Sequence, residues 1–196
     1  MTILNRNDQS GRSMVEMLGV LAIIGVLSVG GISGYSKAMA KYKLTKAQDQ
    51  IVMLLMNIRT AYATSPNYSG LTSDKAASYN LAPNEMVSGS GTSAKLYGTF
   101  GGEVVVEAVS GATTYFHIKV TNLGKEACRS LGSSDWGADG LVGMWIGSSG
   151  SNAAGKSDCS QSGTGTKWCV ADLPASLSAV NTACSGEVNS IDWVYY

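Results

Sequence analysis

Charged side chains and histidine are scarce in this sequence. Of its 196 residues, 14% are charged, the 14 Lys and Arg balance the 14 Asp and Glu, and there is one histidine. Nucleic-acid-binding proteins use a basic excess that this chain lacks, so nucleic acid is not expected as a main partner. General acid–base catalysis relies most often on histidine, and a single one disfavours an enzyme of that type.

Catalytic and metal-binding patterns are missing as well. No Ser-His-Asp, Cys-His or paired-carboxylate arrangement is recognisable, and none of the four cysteines forms the Cys-x-x-Cys spacing typical of zinc sites. The lone His117 has no second histidine, cysteine or carboxylate at ligand spacing. We therefore expect no catalytic residue, no metal and no cofactor, and we keep a cysteine zinc site as the disfavoured alternative.

One stretch matches a nucleotide-binding motif by its letters alone. Residues 150–157 read Gly-Ser-Asn-Ala-Ala-Gly-Lys-Ser and fit the phosphate-binding pattern G-x-x-x-x-G-K-[ST]. A working P-loop opens a helix with an apolar face, and its N-terminus binds the phosphates. The residues that follow here are small and polar and include Cys159, so nucleotide binding is a disfavoured alternative.

A long apolar run near the N-terminus contains one carboxylate. Between Gly11 and Tyr35 the side chains are apolar or small apart from Arg12 and Glu16, and about 20 such residues suffice to span a membrane. A charge inside such a segment costs about 2 to 3 kcal/mol, so it indicates a function and needs a partner. A plain membrane anchor with an incidental glutamate is the alternative.

The residues before this run are polar and lack the apolar core of an ordinary secretory signal. Cleavage after Gly11 would make Arg12 the new N-terminus and place Glu16 about one helical turn further on. This order and spacing resembles the class III leader of type IV prepilins, although that family usually has an apolar residue where Arg12 stands.

The resemblance implies a processing and assembly pathway. A prepilin peptidase would cut between Gly11 and Arg12 on the cytoplasmic side and methylate the new terminal amine of Arg12. Glu16 would then pair with the terminal amine of a neighbouring subunit in a helical homopolymer. The implied partners are other pilin subunits, the prepilin peptidase, the inner-membrane pilus assembly machinery and the membrane itself. The implied location is the bacterial inner membrane for the precursor and an extracellular pilus, or fimbrium, afterwards.

The apolar run continues into an amphipathic pattern. Apolar residues recur at three- and four-residue spacings from Tyr35 to Thr64, and Ser65-Pro66 ends the pattern. The sequence predicts one helix of about 50 residues. Its many glycines indicate close packing or local melting, and we expect any unwound stretch near Gly30 and Gly31.

The remaining sequence predicts a mixed domain. Residues 67–99 are expected to form a connecting loop with a short helix near 74–79, and residues 103–108 and 113–120 a β-hairpin. The alternation places Phe116 on the face that packs on the helix and His117 on the outward face. Residues 122–131 are expected to form a helix with Asn122 as its N-cap.

The cysteines permit three pairings, and export to an oxidising compartment favours disulfides over free thiols. The segment around Cys128 resembles the one that opens the disulfide-bonded region of type IVb pilins, and the last 14 residues, with Cys184, resemble the one that closes it. The resemblance therefore implies the nested pairing of Cys128 with Cys184 and of Cys159 with Cys169. Residues 191–196 are expected to form a strand.

Taken together, the sequence is identified as a type IVb-like pilin of the α+β class, with a long N-terminal helix packed on an antiparallel sheet. The expected parts are a leader (residues 1–11), a transmembrane and filament-core half-helix (12–35), an amphipathic half-helix (36–64) and a head (65–196). A minor pilin or a pseudopilin of a type II secretion system is the alternative. A membrane-anchored enzyme or nucleotide-binding domain is a more distant one.

Overall fold

The computed structural model describes residues 10–137, 139–148, 158–159 and 165–196, and for residues 10–13 it describes the backbone only. Residues 1–9 of the expected leader and the phosphate-binding-like motif at 150–157 lie outside the described residues. The chain divides into two units, residues 1–42 and residues 43–196.

Helix α1 extends from Ser10 to Ala61 without a break. It ends four residues before the predicted stop at Ser65, since residues 62–64 form turns. In this subunit α1 is helical through Gly30 and Gly31, so the expected unwinding is not present there. A glycine weakens a helix by only about 1 kcal/mol relative to alanine, and a helix this long forms cooperatively, so the flanking turns maintain the hydrogen-bonded backbone.

The second unit combines short helices with an antiparallel sheet. Its elements after α1 are α2 (Ser73–Ser78), β1 (Val87–Ser88), β2 (Lys95–Tyr97), β3 (Glu103–Ala108), β4 (Phe116–Leu123), α3 (Lys125–Gly132), β5 (Leu141–Ser148), β6 (Thr166–Cys169), α4 (Leu177–Ala183) and β7 (Asn189–Tyr195). The strand order is β1-β2-β3-β4-β7-β5-β6, and every pair is antiparallel. The last strand, β7, therefore joins the two halves of the sheet.

The sheet and the second half of α1 share one core. The inward residues of the helix are Ile51, Leu54, Leu55 and Ile58, and all four are buried. They pack in one cluster with alternate residues of the central strands, among them Phe116, Ile118, Ile191, Trp193 and Tyr195. Each fully buried aliphatic side chain contributes about 2 kcal/mol. The amphipathic pattern of the sequence thus has its predicted partner, the sheet.

Two local predictions need correction. Asn122 is not a helix N-cap, because β4 continues to Leu123, Gly124 precedes the first turn of α3, and Asn122 has a φ of 58° at an irregularity in the β4–β7 register. The connection over residues 67–99 contains α2 as predicted, but it also contains β1 and β2. These two strands are only two and three residues long, too short to produce an alternating pattern.

The final strand carries a tyrosine with an unsatisfied hydroxyl. Tyr195 is fully buried, its ring stacks with Phe116 at 5.7 Å, and the guanidinium of Arg59 lies 5.4 Å from the ring centroid. Within the described residues, the Tyr195 hydroxyl has no hydrogen-bond partner. Burial raises the pKa of the Tyr195 phenol, and the nearby Arg59 only partly opposes this.

Tyr195→Phe is therefore expected to raise the free energy of unfolding by about 1 kcal/mol at neutral pH, because it removes a buried polar group without a partner. Because the pKa of the Tyr195 phenol is higher in the folded chain than in the unfolded chain, the unfolded chain loses its proton first, above pH about 10, and the free energy of unfolding falls as the pH rises further. The advantage of the variant should thus grow above pH 10. The measurement is urea unfolding of the detergent-solubilised full chain, with and without the substitution, at neutral pH and above pH 10. A variant that is less stable than the unchanged chain at neutral pH would contradict the prediction.

Candidate assembly surface and disulfide-bonded region

The apolar side chains of the first half of α1 are exposed in the subunit. Residues 14–38 are exposed, and the helix from Met14 to Ala61 contains an 18-residue window with a mean hydropathy of 2.2, none of it buried. By length and composition it is able to cross a membrane. An exposed apolar surface of this size marks a membrane or protein contact, since soluble monomers rarely expose one.

Glu16 lies at the start of this apolar surface and is exposed. Gly11 and Arg12 lie in the first turn of the same helix, where only the backbone is described. Glu16 lies four positions after Arg12, a rise of about 6 Å along the helix axis. The helix thus keeps the carboxylate one turn from the residue expected to carry the terminal amine.

The helix glycines do not pack against any part of the subunit that the structure describes. A Cβ atom added at Gly19, Gly25, Gly30, Gly31 or Gly34 would meet nothing within 4 Å. By contrast, a Cβ at Gly102 in the head would collide with the backbone of Thr121. Each helix glycine weakens α1 by about 1 kcal/mol relative to alanine, and no contact with another described residue compensates for this. Glycines allow close helix–helix approach, so these positions favour packing against other helices.

Two disulfides fix the C-terminal part of the head. Cys128 in α3 is bonded to Cys184, which caps α4, with a Cα–Cα distance of 5.8 Å. Cys159 is bonded to Cys169 at the end of β6, with a Cα–Cα distance of 5.5 Å. The chain has no free cysteine, so none is available as a thiolate ligand for zinc. The first bridge connects α3 to the residues that lead directly into β7.

His117 is buried, which corrects the prediction that it points outward. Its Nδ1 lies 3.0 Å from Oδ1 of Asp192, and the two side chains are 2% and 0% exposed. The alternation did assign His117 to the sheet face opposite α1. That face is covered, because a second apolar cluster of Val109, Trp145, Cys159 and Val194 packs there. Alternation identifies which residues share a face but does not reveal whether that face is covered.

His117→Leu is expected to lower the free energy of unfolding by about 2 kcal/mol, because it removes one partner of the buried His117–Asp192 hydrogen bond. The measurement is urea unfolding of the full chain, combined in a double-mutant cycle with Asp192→Leu. If the pair is the origin of the effect, the double variant should lose less stability than the two single variants added together. Simple additivity would exclude a coupled pair.

Comparison with known proteins identifies the family. The family described as PilS N terminal, which comprises type IV pilins, matches residues 41–195, most of the chain and nearly all of the second unit. The chain belongs to the type IV pilins. The pilin's function is structural, as a pilus subunit, and it is not an enzyme. The pseudopilin and anchored-enzyme alternatives are not favoured.

Curated relatives agree with this identity. The major structural subunit of the bundle-forming pilus of Escherichia coli O127:H6 (strain E2348/69 / EPEC) is 27% identical to the pilin over 136 residues. The aligned region covers 69% of each protein. The corresponding subunit of Escherichia coli O111:H- has the same identity and coverage.

Solved structures share the pilin's fold at low identity. The crystal structure of type IV b pilin from Salmonella typhi has a TM-score of 0.53 at 19% identity, covering 78% of this chain and 97% of that one. The crystal structure of TcpA, a type IV pilin from Vibrio cholerae El Tor biotype, has a TM-score of 0.50 at 16% identity, covering 79% and 99%. The predicted fold, a long N-terminal helix with an antiparallel sheet and disulfide pairs, is confirmed as type IVb-like.

Sequence reasoning missed the buried pair of His117 and Asp192. The available signal was the strand that ends the chain, where Asp192 stands among Ile191, Trp193 and Val194. A carboxylate within a strand whose neighbours are all apolar indicates burial, and a buried carboxylate requires a polar partner.

Proposed function

We propose that this pilin is stored as a membrane-inserted precursor, is cut after Gly11 and polymerises helically with other copies of itself. The observation that carries the proposal is the exposed apolar surface of residues 14–35 with Glu16 at its start. An apolar helix of this length is stable in a lipid bilayer and also in a bundle of similar helices. Membrane storage and filament assembly use the same surface in turn.

In this proposal, Glu16 pairs with the terminal amine of Arg12 of a neighbouring subunit. A carboxylate and an amine in an apolar filament core are each costly alone, and pairing offsets much of that cost. Both charges are paired only when neighbouring helices are in the correct register. The pair would therefore select the assembled geometry as well as stabilise it. Methylation of Arg12 would leave the positive charge of the amine in place.

The parts of the chain take distinct roles. Residues 1–11 act as the leader, residues 12–35 as the membrane-spanning and filament-core segment, residues 36–64 as the support of the head, and residues 65–196 as the pilus surface. The proposed partners are the prepilin peptidase, which removes the leader on the cytoplasmic side, and the inner-membrane assembly machinery, which extracts and adds subunits. The proposed location of the precursor is the bacterial inner membrane.

The testing experiment is intact-mass and N-terminal analysis of filaments sheared from the cell surface, under reducing and non-reducing conditions. We expect a chain that begins at Arg12, carries a methyl group on its amine and contains two disulfides. A chain that retains Met1, or one that never appears outside the cell, would contradict processing and assembly together. An unmethylated chain starting at Arg12 would remove only the methylation step.

A further inference from the structure

A group of lysines follows the apolar surface of α1. Lys37, Lys41 and Lys43 are all exposed, and none of them forms an ion pair with another described residue. No acidic residue occurs between Glu16 and Asp49. The next lysine, Lys46, differs because its ammonium lies 2.8 Å from a carboxylate oxygen of Glu85 in the head. The first three lysines are therefore a local positive charge that no described acidic side chain of the subunit neutralises through an ion pair.

The position of these lysines matches the edge of a lipid bilayer. The apolar segment from residue 14 to residue 34 is about 31 Å long at 1.5 Å per residue, and the hydrocarbon core of a bilayer is about 30 Å thick. Tyr35, 68% exposed, follows directly, and Tyr42 is 59% exposed. Tyrosine is enriched at the membrane–water interface, and lysine side chains extend from there to the headgroups.

The side chains surround the helix instead of forming one stripe. At about 100° per residue, Lys37 and Lys41 lie about 40° apart, and Lys43 lies about 120° from Lys37. Tyr35 and Tyr42 project within about 20° of each other, in the wide gap between Lys41 and Lys43. A folded protein partner contacts one side of a helix, whereas a lipid surface surrounds a helix that crosses it. The arrangement therefore favours lipid.

The charge of these lysines also disfavours the expected orientation of the helix in the membrane. The disulfides place the head in an oxidising compartment, so these lysines lie on the non-cytoplasmic side. The positive-inside rule favours lysine and arginine on the cytoplasmic flank, where only Arg6 and Arg12 occur. Contact with anionic headgroups would offset this bias, since each basic residue near such a surface is attracted to it.

We propose that residues 35–43 form a headgroup belt that binds the phosphate groups of anionic phospholipids in the outer leaflet of the storage membrane. The belt consists of Tyr35, Lys37, Lys41, Tyr42 and Lys43. This inference rests on the proposed membrane stage of the subunit. It adds a lipid specificity to that stage, because a zwitterionic lipid leaves the three ammonium groups without a net countercharge.

The test uses the full chain reconstituted in bilayers of phosphatidylcholine mixed with phosphatidylglycerol, with the lipids retained after mild extraction identified by native mass spectrometry. Three variants are compared with the unchanged chain. Lys37, Lys41 and Lys43 are replaced together by Gln in the first and by Arg in the second. In the matched control, the head lysines Lys75, Lys95 and Lys125 are replaced by Gln, which removes the same charge elsewhere.

We expect phosphatidylglycerol to be enriched about fivefold for each lysine contact, and the enrichment to fall as salt is raised. The belt Gln variant should lose the enrichment, while the belt Arg variant and the head control should keep it. The belt proposal is wrong if the belt Gln variant enriches phosphatidylglycerol as strongly as the unchanged chain, or if the unchanged chain does not enrich it. If instead the lysines pair with acidic groups of neighbouring subunits, filaments of the belt Gln variant will dissociate at lower salt with unchanged lipid preference.

The same samples separate this inference from the proposed function. An alkaline carbonate wash releases peripheral proteins and leaves membrane-spanning ones behind. If the full chain is released by the wash, both the membrane stage and the belt are wrong. If the chain stays inserted but shows no preference for phosphatidylglycerol, only the belt is wrong.

Discussion

Cells that carry Glu16→Ala should insert the subunit into the membrane normally and assemble few or no filaments. The substitution removes a charge from the apolar segment, so insertion becomes slightly easier, by up to about 2 to 3 kcal/mol. In the filament, however, the terminal amine of the neighbouring subunit loses its carboxylate. Breaking a buried ion pair on one side costs about 3 to 5 kcal/mol, which corresponds to more than a hundredfold in the affinity of each added subunit.

The measurement is the yield of sheared surface filaments relative to the amount of subunit in the membrane. Asp49→Ala is the matched control, because Asp49 is an exposed carboxylate on the same helix outside the apolar segment. The control should assemble at the normal level. Normal filament yield from Glu16→Ala would falsify the pairing role, and an equal defect in both variants would point to a general effect of helix charge.

How far the sequence predicted this pilin depended on the range of the interactions involved. Helix α1 was predicted nearly to its end because its pattern repeats over many turns. The hairpin was predicted because Val106 and Ile118, which are paired in the structure, lie in two runs rich in β-branched residues beside a Ser-Gly turn. These signals are local and repeat, so single deviations do not obscure them.

Features that depend on distant residues were not predicted. The burial of His117 follows from Trp145 and Val194, which come from strands β5 and β7 and approach β4 only in the folded sheet. The error at Asn122 has a similar origin. A cap residue and a strand irregularity both suit Asn, and the long-range pairing of Leu123 with Asn189 selects the strand.

For the exposed apolar surface of α1, too, the sequence predicted a local feature and the structure added a spatial one. The sequence indicated an apolar helix with a carboxylate at its start, and the structure adds that Gly19, Gly25 and Gly30 have open space around them in the subunit. That openness separates glycines required by the fold from glycines available for a partner. Sequence composition does not make this distinction, since Gly102 and Gly30 look alike until their surroundings are known.

Removal of the Cys128–Cys184 bridge, by Cys128→Ala with Cys184→Ala, is expected to lower the free energy of unfolding by about 4 kcal/mol. The bridge spans 56 residues, and the loop-closure entropy of the unfolded chain assigns about this value to a loop of that size. Domains of this kind are stable by about 5 to 15 kcal/mol in total. Cells should therefore accumulate less of the variant, and urea unfolding of the full chain under non-reducing conditions should show the loss directly.

The position of the bridge indicates why its loss should affect the whole head. Cys184 caps α4 five residues before β7 begins at Asn189, and in the described sheet β7 lies between β4 and β5 and pairs with both. The matched variant, Cys159→Ala with Cys169→Ala, opens a loop of 10 residues beside the edge strand β6, with an expected loss of about 3 kcal/mol. Because β6 pairs only with β5, that loss should leave the pairing of β7 intact, as amide hydrogen exchange in β4 and β7 would report. If instead both variants lower the hydrogen-exchange protection of β7 equally, the prediction is wrong. The two bridges then stabilise one cooperative unit, and β6 does not unfold separately from β7 although it lies at the edge of the sheet.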